Sequence, residues 1–241
     1  MQYEYLSRIY DKLYNSEKHL TLIDEFFSDY RHNRDKAKVL DIGCGTGRFL
    51  LGMYKRGWEI SGLDLSKEML TVAEEKFKQQ GVKAKLYCRD MRKIGIKEKF
   101  DLVTSNFDSL NYILSLEELC ATFHKINNIV LRDGFLAFDM ISEFQCKTFV
   151  GERVWEEKDF KLTMISTYED STKLKTIKLI IQIDGEEYVE EHLQRGYDLA
   201  QLRDILEDNN FRVKNFIDIE NRTSRIVTEK TTRAYYIAQK I

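Results

Sequence analysis

Gly43, Gly45 and Gly47 stand at alternate positions directly after the apolar run VLDI, and the stretch RFLLGMYK that follows has helical periodicity. A strand that becomes a helix through bare backbone opens a β–α–β unit. Each such glycine costs roughly 0.5–1 kcal/mol of chain entropy unless a turn or a close neighbour requires it. The spacing GxGxG is neither GxxxxGK[ST], which cradles a nucleotide's phosphates, nor the GxGxxG of hydride-transfer enzymes. From these residues alone, a tight turn with no ligand and a turn that lets a ligand approach the backbone both stay open.

The remaining chain repeats the pattern. Helices are expected at 3–14 and 17–31, the second with Ile23, Phe26, Phe27 and Tyr30 on one stripe. Strand 38–42, helix 46–56, strand 58–64, helix 66–80, strands 83–88 and 99–105, helix 116–131 and strand 134–140 follow. Ser66 caps one helix and Gly81 ends it. Such alternation implies a parallel sheet with helices on both faces. Between 142 and 197 the period falls to two and Asp184-Gly185 marks a hairpin turn. Helix 198–208 and strands 211–220 and 232–240 then complete the chain. The expected architecture is α/β: a Rossmann-like, seven-stranded, mostly parallel sheet from 1–141 and 198–241, with N-terminal helices over the pocket. The segment 142–197 is an inserted antiparallel β cap.

Charge bounds the partners. The 38 Lys and Arg nearly balance the 40 Asp and Glu, leaving a formal net charge of -2. No bulk electrostatic attraction to nucleic acid or membrane results, so a small-molecule substrate is expected and nucleic acid is not. The first residues lack a signal-peptide core, and no apolar run approaches the roughly 18 residues of a membrane span, so a cytoplasmic protein is expected. Cys44, Cys88, Cys120 and Cys146 form no CxxC pair and are expected to be reduced; the four histidines are equally scattered, and no metal site is expected. The chain has no proline, which excludes motifs that need one.

Two landmarks beyond the glycines choose among ligands. Asp64 ends the second expected strand, where a carboxylate can accept from two ribose hydroxyls. Asp90-Met91 lies past the third: the acid can accept from an exocyclic amine while the Met91 thioether covers one purine face and Leu65 the other. A surface acid and a core methionine would explain that pair in isolation. Glycines, Asp64 and Asp90 all fall at carboxyl ends of neighbouring strands, where open α/β sheets bind ligands.

In these residues the chain resembles the class I S-adenosylmethionine (SAM)-dependent methyltransferases. VLDIGCGTG is similar to their first motif, GLDLS to their ribose-binding segment, CRDM to their adenine-contacting segment and KFDLVTSNFDSLNYI to their fourth-strand segment. The resemblance implies SAM as cofactor, Gly43, Gly45 and Gly47 beside its methionine moiety, Asp64 on ribose, and Asp90 with Met91 at adenine. It implies that Asp41 orients the glycine turn or bonds the methionine amino group. It extends to a small-molecule N-methyltransferase subgroup that includes amino-sugar dimethyltransferases.

Methyl transfer from a sulfonium is an in-line displacement with a good leaving group, so proximity, alignment and a proton acceptor suffice. In NFDSLNY, Asn106, Asp108, Asn111 and Tyr112 are expected to face the methyl-donor end, with Asn106 on the cofactor and Asn111 and Tyr112 as catalytic candidates; local loop bonding is the alternative for each. Tyr3 and Tyr10 either close over the cofactor or pack a helix face. Glu190, His192 and Gln194 share one strand face. That face is either solvated or part of the pocket wall, in which case His192 is a candidate proton acceptor. The segment is not (D/N)PPY and no Pro-Cys pair occurs, which argues against methylation of nucleic-acid bases. The competing functions are an RNA nucleoside methyltransferase, a SAM-binding module without turnover and, more remotely, an NAD-linked dehydrogenase.

Overall fold

The computed structural model describes residues 2–32, 36–221 and 224–241. Its main sheet has the strand order β10-β11-β5-β4-β1-β2-β3. These strands are β1 (Lys38–Ile42), β2 (Glu59–Asp64), β3 (Lys85–Cys88), β4 (Phe100–Ser105), β5 (Val130–Ile141), β10 (Phe211–Asp218) and β11 (Arg233–Lys240). The first five are mutually parallel, and β11 runs antiparallel to both β5 and β10. The seven-stranded, mostly parallel sheet is the one expected. Strand order reverses at β1, which places a crevice beyond the carboxyl ends of β1 and its neighbours.

Alternation along β1 builds two cores. Val39 joins Leu20, Ile23 and Phe27 of α2 (Glu17–His32), Leu50 and Met53 of α3 (Arg48–Lys55) and Ala73 and Phe77 of α4 (Lys67–Gln79). Leu40 and Ile42 point the other way, toward Phe123 and Ile126 of α5 (Leu116–Ile129) and Leu202 and Leu206 of α7 (Gln201–Asp208). The Ser66 hydroxyl accepts from the Met69 N–H at 3.1 Å, the expected cap.

The second sheet is antiparallel: β6 (Gly151–Glu157), β7 (Phe160–Glu169), β8 (Leu174–Ile183) and β9 (Glu186–Arg195), preceded by α6 (Glu143–Thr148). Asp184 and Gly185, at φ 54° and 82°, form the β8–β9 turn. The α6 helix was not expected; Ser142 caps it by accepting from the Gln145 N–H.

The N-terminal segment corrects the expected helix over 3–14. It is a 3-10 turn, Leu6–Arg8, followed by α1 (Tyr10–Leu13), with Tyr3 in the left-handed region at φ 63°. Leu6 and Ile9 pack on Phe160, Leu162, Leu179 and Ile181 of the second sheet. Tertiary burial and side-chain acceptors, not helical hydrogen bonds, set its path. No helix among the described residues is long and apolar enough to cross a membrane.

Candidate active site

The glycine turn is fastened by Asp64. Its Oδ2 accepts the Gly45 N–H at 2.8 Å and its Oδ1 the Ser66 N–H at 2.8 Å, so one carboxylate ties the β1 turn to the start of α4. Burial pushes Asp64 above the usual carboxylate range, against the opposing pull of these backbone donors. Asp64, Gly43 and Gly45 line a cavity of about 570 Å³, within the size range of small-molecule sites. A side chain at Gly43 would collide with the Ser109 hydroxyl. At Gly45 (φ 51°) the nearest atom to an added Cβ is Met69 Sδ, 3.9 Å away, so a side chain would grow into the cavity. Bare backbone is therefore kept where a ligand's space begins.

Gly47 does something else. Its φ is 71° and an added Cβ would lie 2.6 Å from the Phe77 ring. It lets α3 and α4 pack, and it is not among the cavity-lining residues. Asp41 is not among the cavity-lining residues either. Its Oδ1 accepts from the Thr104 hydroxyl at 2.7 Å and the Asn106 amide at 3.4 Å, joining β1 to β4 away from the cavity.

Burial raises the Asp41 carboxyl to about 7, with the Thr104 hydroxyl opposing the shift and the Asp64 charge adding to it. A folded value above the unfolded one of roughly 3.9 means that stability falls as pH rises from about 4 through 7. Asp41→Asn keeps an acceptor for Thr104 and is expected to flatten that fall. Urea midpoints at pH 5 and pH 8 that drop as far in the variant as in the wild type would remove Asp41 as its source.

Leu65, Asp90 and Met91 line the cavity as expected, and Leu65 is 64% exposed for want of protein to cover it. The Asp90 carboxylate is paired with Arg92, whose Nη2 lies 2.7 Å from Oδ2 and whose backbone N–H reaches Oδ1 at 2.8 Å. The Arg92 guanidinium holds Asp90 below the usual carboxylate range. Arg92, a neighbour unread in the sequence, lines the cavity beside Asp90.

Tyr3, Tyr10, Phe107 and Tyr112 give the same cavity a largely aromatic wall, with Ser109 against Gly43. Only Tyr112 of the four expected polar residues in this segment lines the cavity. Asn111 is fully buried: its amide donates to the carbonyls of Ile141 and Arg195 and its Oδ1 accepts the Ile141 N–H, so it joins the two sheets. Asn106 is buried between Asp41 and the Tyr235 hydroxyl, and Asp108 is half-buried, paired with Arg233 and accepting from Gln194. None of these three is among the residues that line the cavity.

His192 is 2% exposed, which excludes the solvated-face reading. It stands behind the wall: Nδ1 is 2.9 Å from the Tyr112 hydroxyl and Nε2 is 3.1 Å from Glu190 Oε2. The sequence put Glu190 on the face of His192 but not against its partners, the N–H groups of Tyr3, Tyr5 and Leu6, which lie across the chain and have no sequence signature.

Comparison with known proteins agrees with this geometry. Residues 39–134 match the model of a methyltransferase domain. A methyltransferase-named protein of Geobacillus sp. is 28% identical, with both chains fully covered. The crystal structure of a SAM-dependent methyltransferase from Clostridium acetobutylicum superposes with a TM-score of 0.86 at 27% identity, covering 99% of this chain and 98% of that one. The dTDP-3-amino-3,6-dideoxy-alpha-D-glucopyranose N,N-dimethyltransferase of Streptomyces fradiae is 31% identical over 45% of this chain and 41% of its own. With its glycine turn, its Asp64 and a sheet of this order, the chain carries a methyltransferase domain and is similar over its whole length to S-adenosylmethionine-dependent methyltransferases.

Proposed function

We propose that the enzyme methylates a nitrogen or oxygen nucleophile of a small molecule, in the cavity that Asp64 and the glycine turn floor. The observation that carries this reading is the joining of two unlike ends in one cavity. The polar end has Asp64, Gly45 and Asp90 with the uncovered Leu65; the aromatic end has Tyr3, Tyr10, Phe107 and Tyr112. Asp64 retains lone pairs for ribose hydroxyls beyond its two backbone donors, and Leu65 with Met91 offers apolar surface to a purine. SAM supplies an electrophilic methyl group when bound.

The aromatic end then takes the acceptor. Tyr3 and Tyr10 lie over the site on a segment held at its far end by Asp11, which accepts from the Thr46 hydroxyl and pairs with Lys76. A wall of tyrosines excludes water while offering hydroxyls to orient a small polar acceptor. The amino-sugar specificity of the Streptomyces fradiae relative favours an amine. Calorimetry is expected to give one S-adenosylhomocysteine (SAH) site per chain. Methyl-labelled SAM is expected to label members of a panel of small amines, amino sugars and alcohols. Label entering RNA in preference to that panel would overturn the acceptor reading.

A further inference from the structure

We propose that Glu190, His192, Tyr112 and Tyr3 form a one-directional proton relay, and that the N-terminal segment completes it by bringing Tyr3 into the cavity. The inference rests on the function proposed above and assigns its proton acceptor.

The direction follows from the donors and acceptors. Glu190 Oε2 faces His192 Nε2 at 3.1 Å, and a carboxylate can only accept, so Nε2 carries the imidazole proton. Nδ1 is then bare and accepts from the Tyr112 hydroxyl 2.9 Å away. With its proton committed to His192, the Tyr112 oxygen accepts from the Tyr3 hydroxyl at 2.6 Å. Tyr3 Oη keeps its lone pairs for a donor in the cavity, which both tyrosines line. The chain of four groups thus ends in a proton acceptor at the aromatic wall.

One carboxylate fixes both ends. Besides His192, Glu190 accepts the N–H groups of Tyr3 (2.8 Å), Tyr5 (2.6 Å) and Leu6 (3.0 Å). Tyr3 is left-handed at φ 63°, a conformation that is strained for a tyrosine and persists only where the surroundings impose it. Burial alone would raise the Glu190 carboxyl, but His192 and these backbone donors hold it below the usual range. Burial places both tyrosine hydroxyls well above theirs, so neither is a standing tyrosinate and the proton must pass through them. Asp108 is the other charged group acting on both tyrosines, and its pairing with Arg233 restrains it.

In the step itself the methylated acceptor's N–H or O–H proton passes to Tyr3 Oη, the Tyr3 proton to Tyr112 Oη and the Tyr112 proton to His192 Nδ1. Each bonding pair stays on the atom that loses the proton. The resulting imidazolium is paired with the Glu190 carboxylate and later returns its proton to solvent. Tyr3 and Tyr112 are the catalytic residues of this relay; His192 and Glu190 act through them.

Nitrogen-resolved NMR of the histidine side chains in the wild type is expected to show His192 protonated at Nε2 and bare at Nδ1. Glu190→Gln puts an amide donor against His192 and is expected to move its proton to Nδ1. It is also expected to raise hydrogen exchange at the Tyr3, Tyr5 and Leu6 amides about tenfold or more. Tyr3→Phe is expected to lower kcat by at least about tenfold, at the lower edge of general-base effects, while SAH affinity stays within about twofold. A wild-type His192 protonated at Nδ1, or Tyr3→Phe turning over at the wild-type rate, would overturn the relay alone. A wild type that binds no SAH would overturn the site assignment and the relay with it.

Discussion

Asp139→Ala is expected to lower the unfolding free energy by about 3–5 kcal/mol, the range for leaving a buried charge without its partner. Asp139 is fully buried on β5 and makes four contacts. Oδ1 accepts the Phe107 N–H at 2.6 Å and faces His19 Nε2 at 3.1 Å; Oδ2 accepts the Asp108 N–H at 3.0 Å and Arg233 Nη1 at 2.9 Å. Removing the carboxylate strands two backbone donors and leaves Arg233 with Asp108 alone. Asp139→Asn keeps an acceptor but loses the charge, and is expected to cost less. Burial would raise the Asp139 carboxyl, yet Arg233, His19 and the Asp108 N–H hold it below the usual range. A depressed folded value contributes stability that is present above the unfolded value of roughly 3.9 and is lost as pH falls through the folded one. Below about pH 4, the wild type should therefore lose its advantage over Asp139→Ala. Urea unfolding at pH 7 that differs by less than about 1 kcal/mol would show that water or rearrangement replaces the carboxylate.

Asp139 also marks where sequence reading stops. It occupies an ordinary position in an apolar strand, and its importance comes from residues brought to it from α2, β11 and the loop after β4. The sheet was legible because its signal is local: alternation along strands, Ser66 at a cap, Asp184-Gly185 at a hairpin. The polar end of the cavity was legible for a related reason. Gly43, Gly45, Asp64, Leu65, Asp90 and Met91 each lie at or within a few residues of a strand's carboxyl end, and parallel topology carries strand ends to one place. Asn106 and Asn111 follow a strand too, but the loop there coils into a 3-10 turn, Ser109–Tyr112, that points its amides inward. A periodicity of two tells which residues share a face, not what covers it. That is why Glu190 and His192 could be paired on β9 yet not placed against Tyr3 and Tyr112. The left-handed Tyr3 was beyond reach, since helical periodicity over 3–14 says nothing of an acceptor lying elsewhere in the chain.

Asp64→Ala is expected to weaken SAH binding by at least 1–3 kcal/mol, roughly 5- to 150-fold in Kd, as buried hydrogen-bond partners are lost. Two causes would act together. The ligand loses an acceptor for its ribose hydroxyls, and the turn loses the tie from Gly45 and Ser66 to a common carboxylate. A nucleoside analogue lacking the ribose hydroxyls separates them. If Asp64 contacts the sugar, calorimetry on folded protein should show SAH weakened far more than the analogue. If the carboxylate only shapes the turn, both ligands should weaken equally, since the methionine moiety passes the same backbone in each. Asp64→Asn sharpens the distinction, because its amide can accept from Gly45 or from Ser66 but not from both. Unchanged affinity for both ligands in a folded Asp64→Ala variant would take Asp64 out of the binding site. The glycines would then be left as a turn required by packing, as Gly47 already is against Phe77.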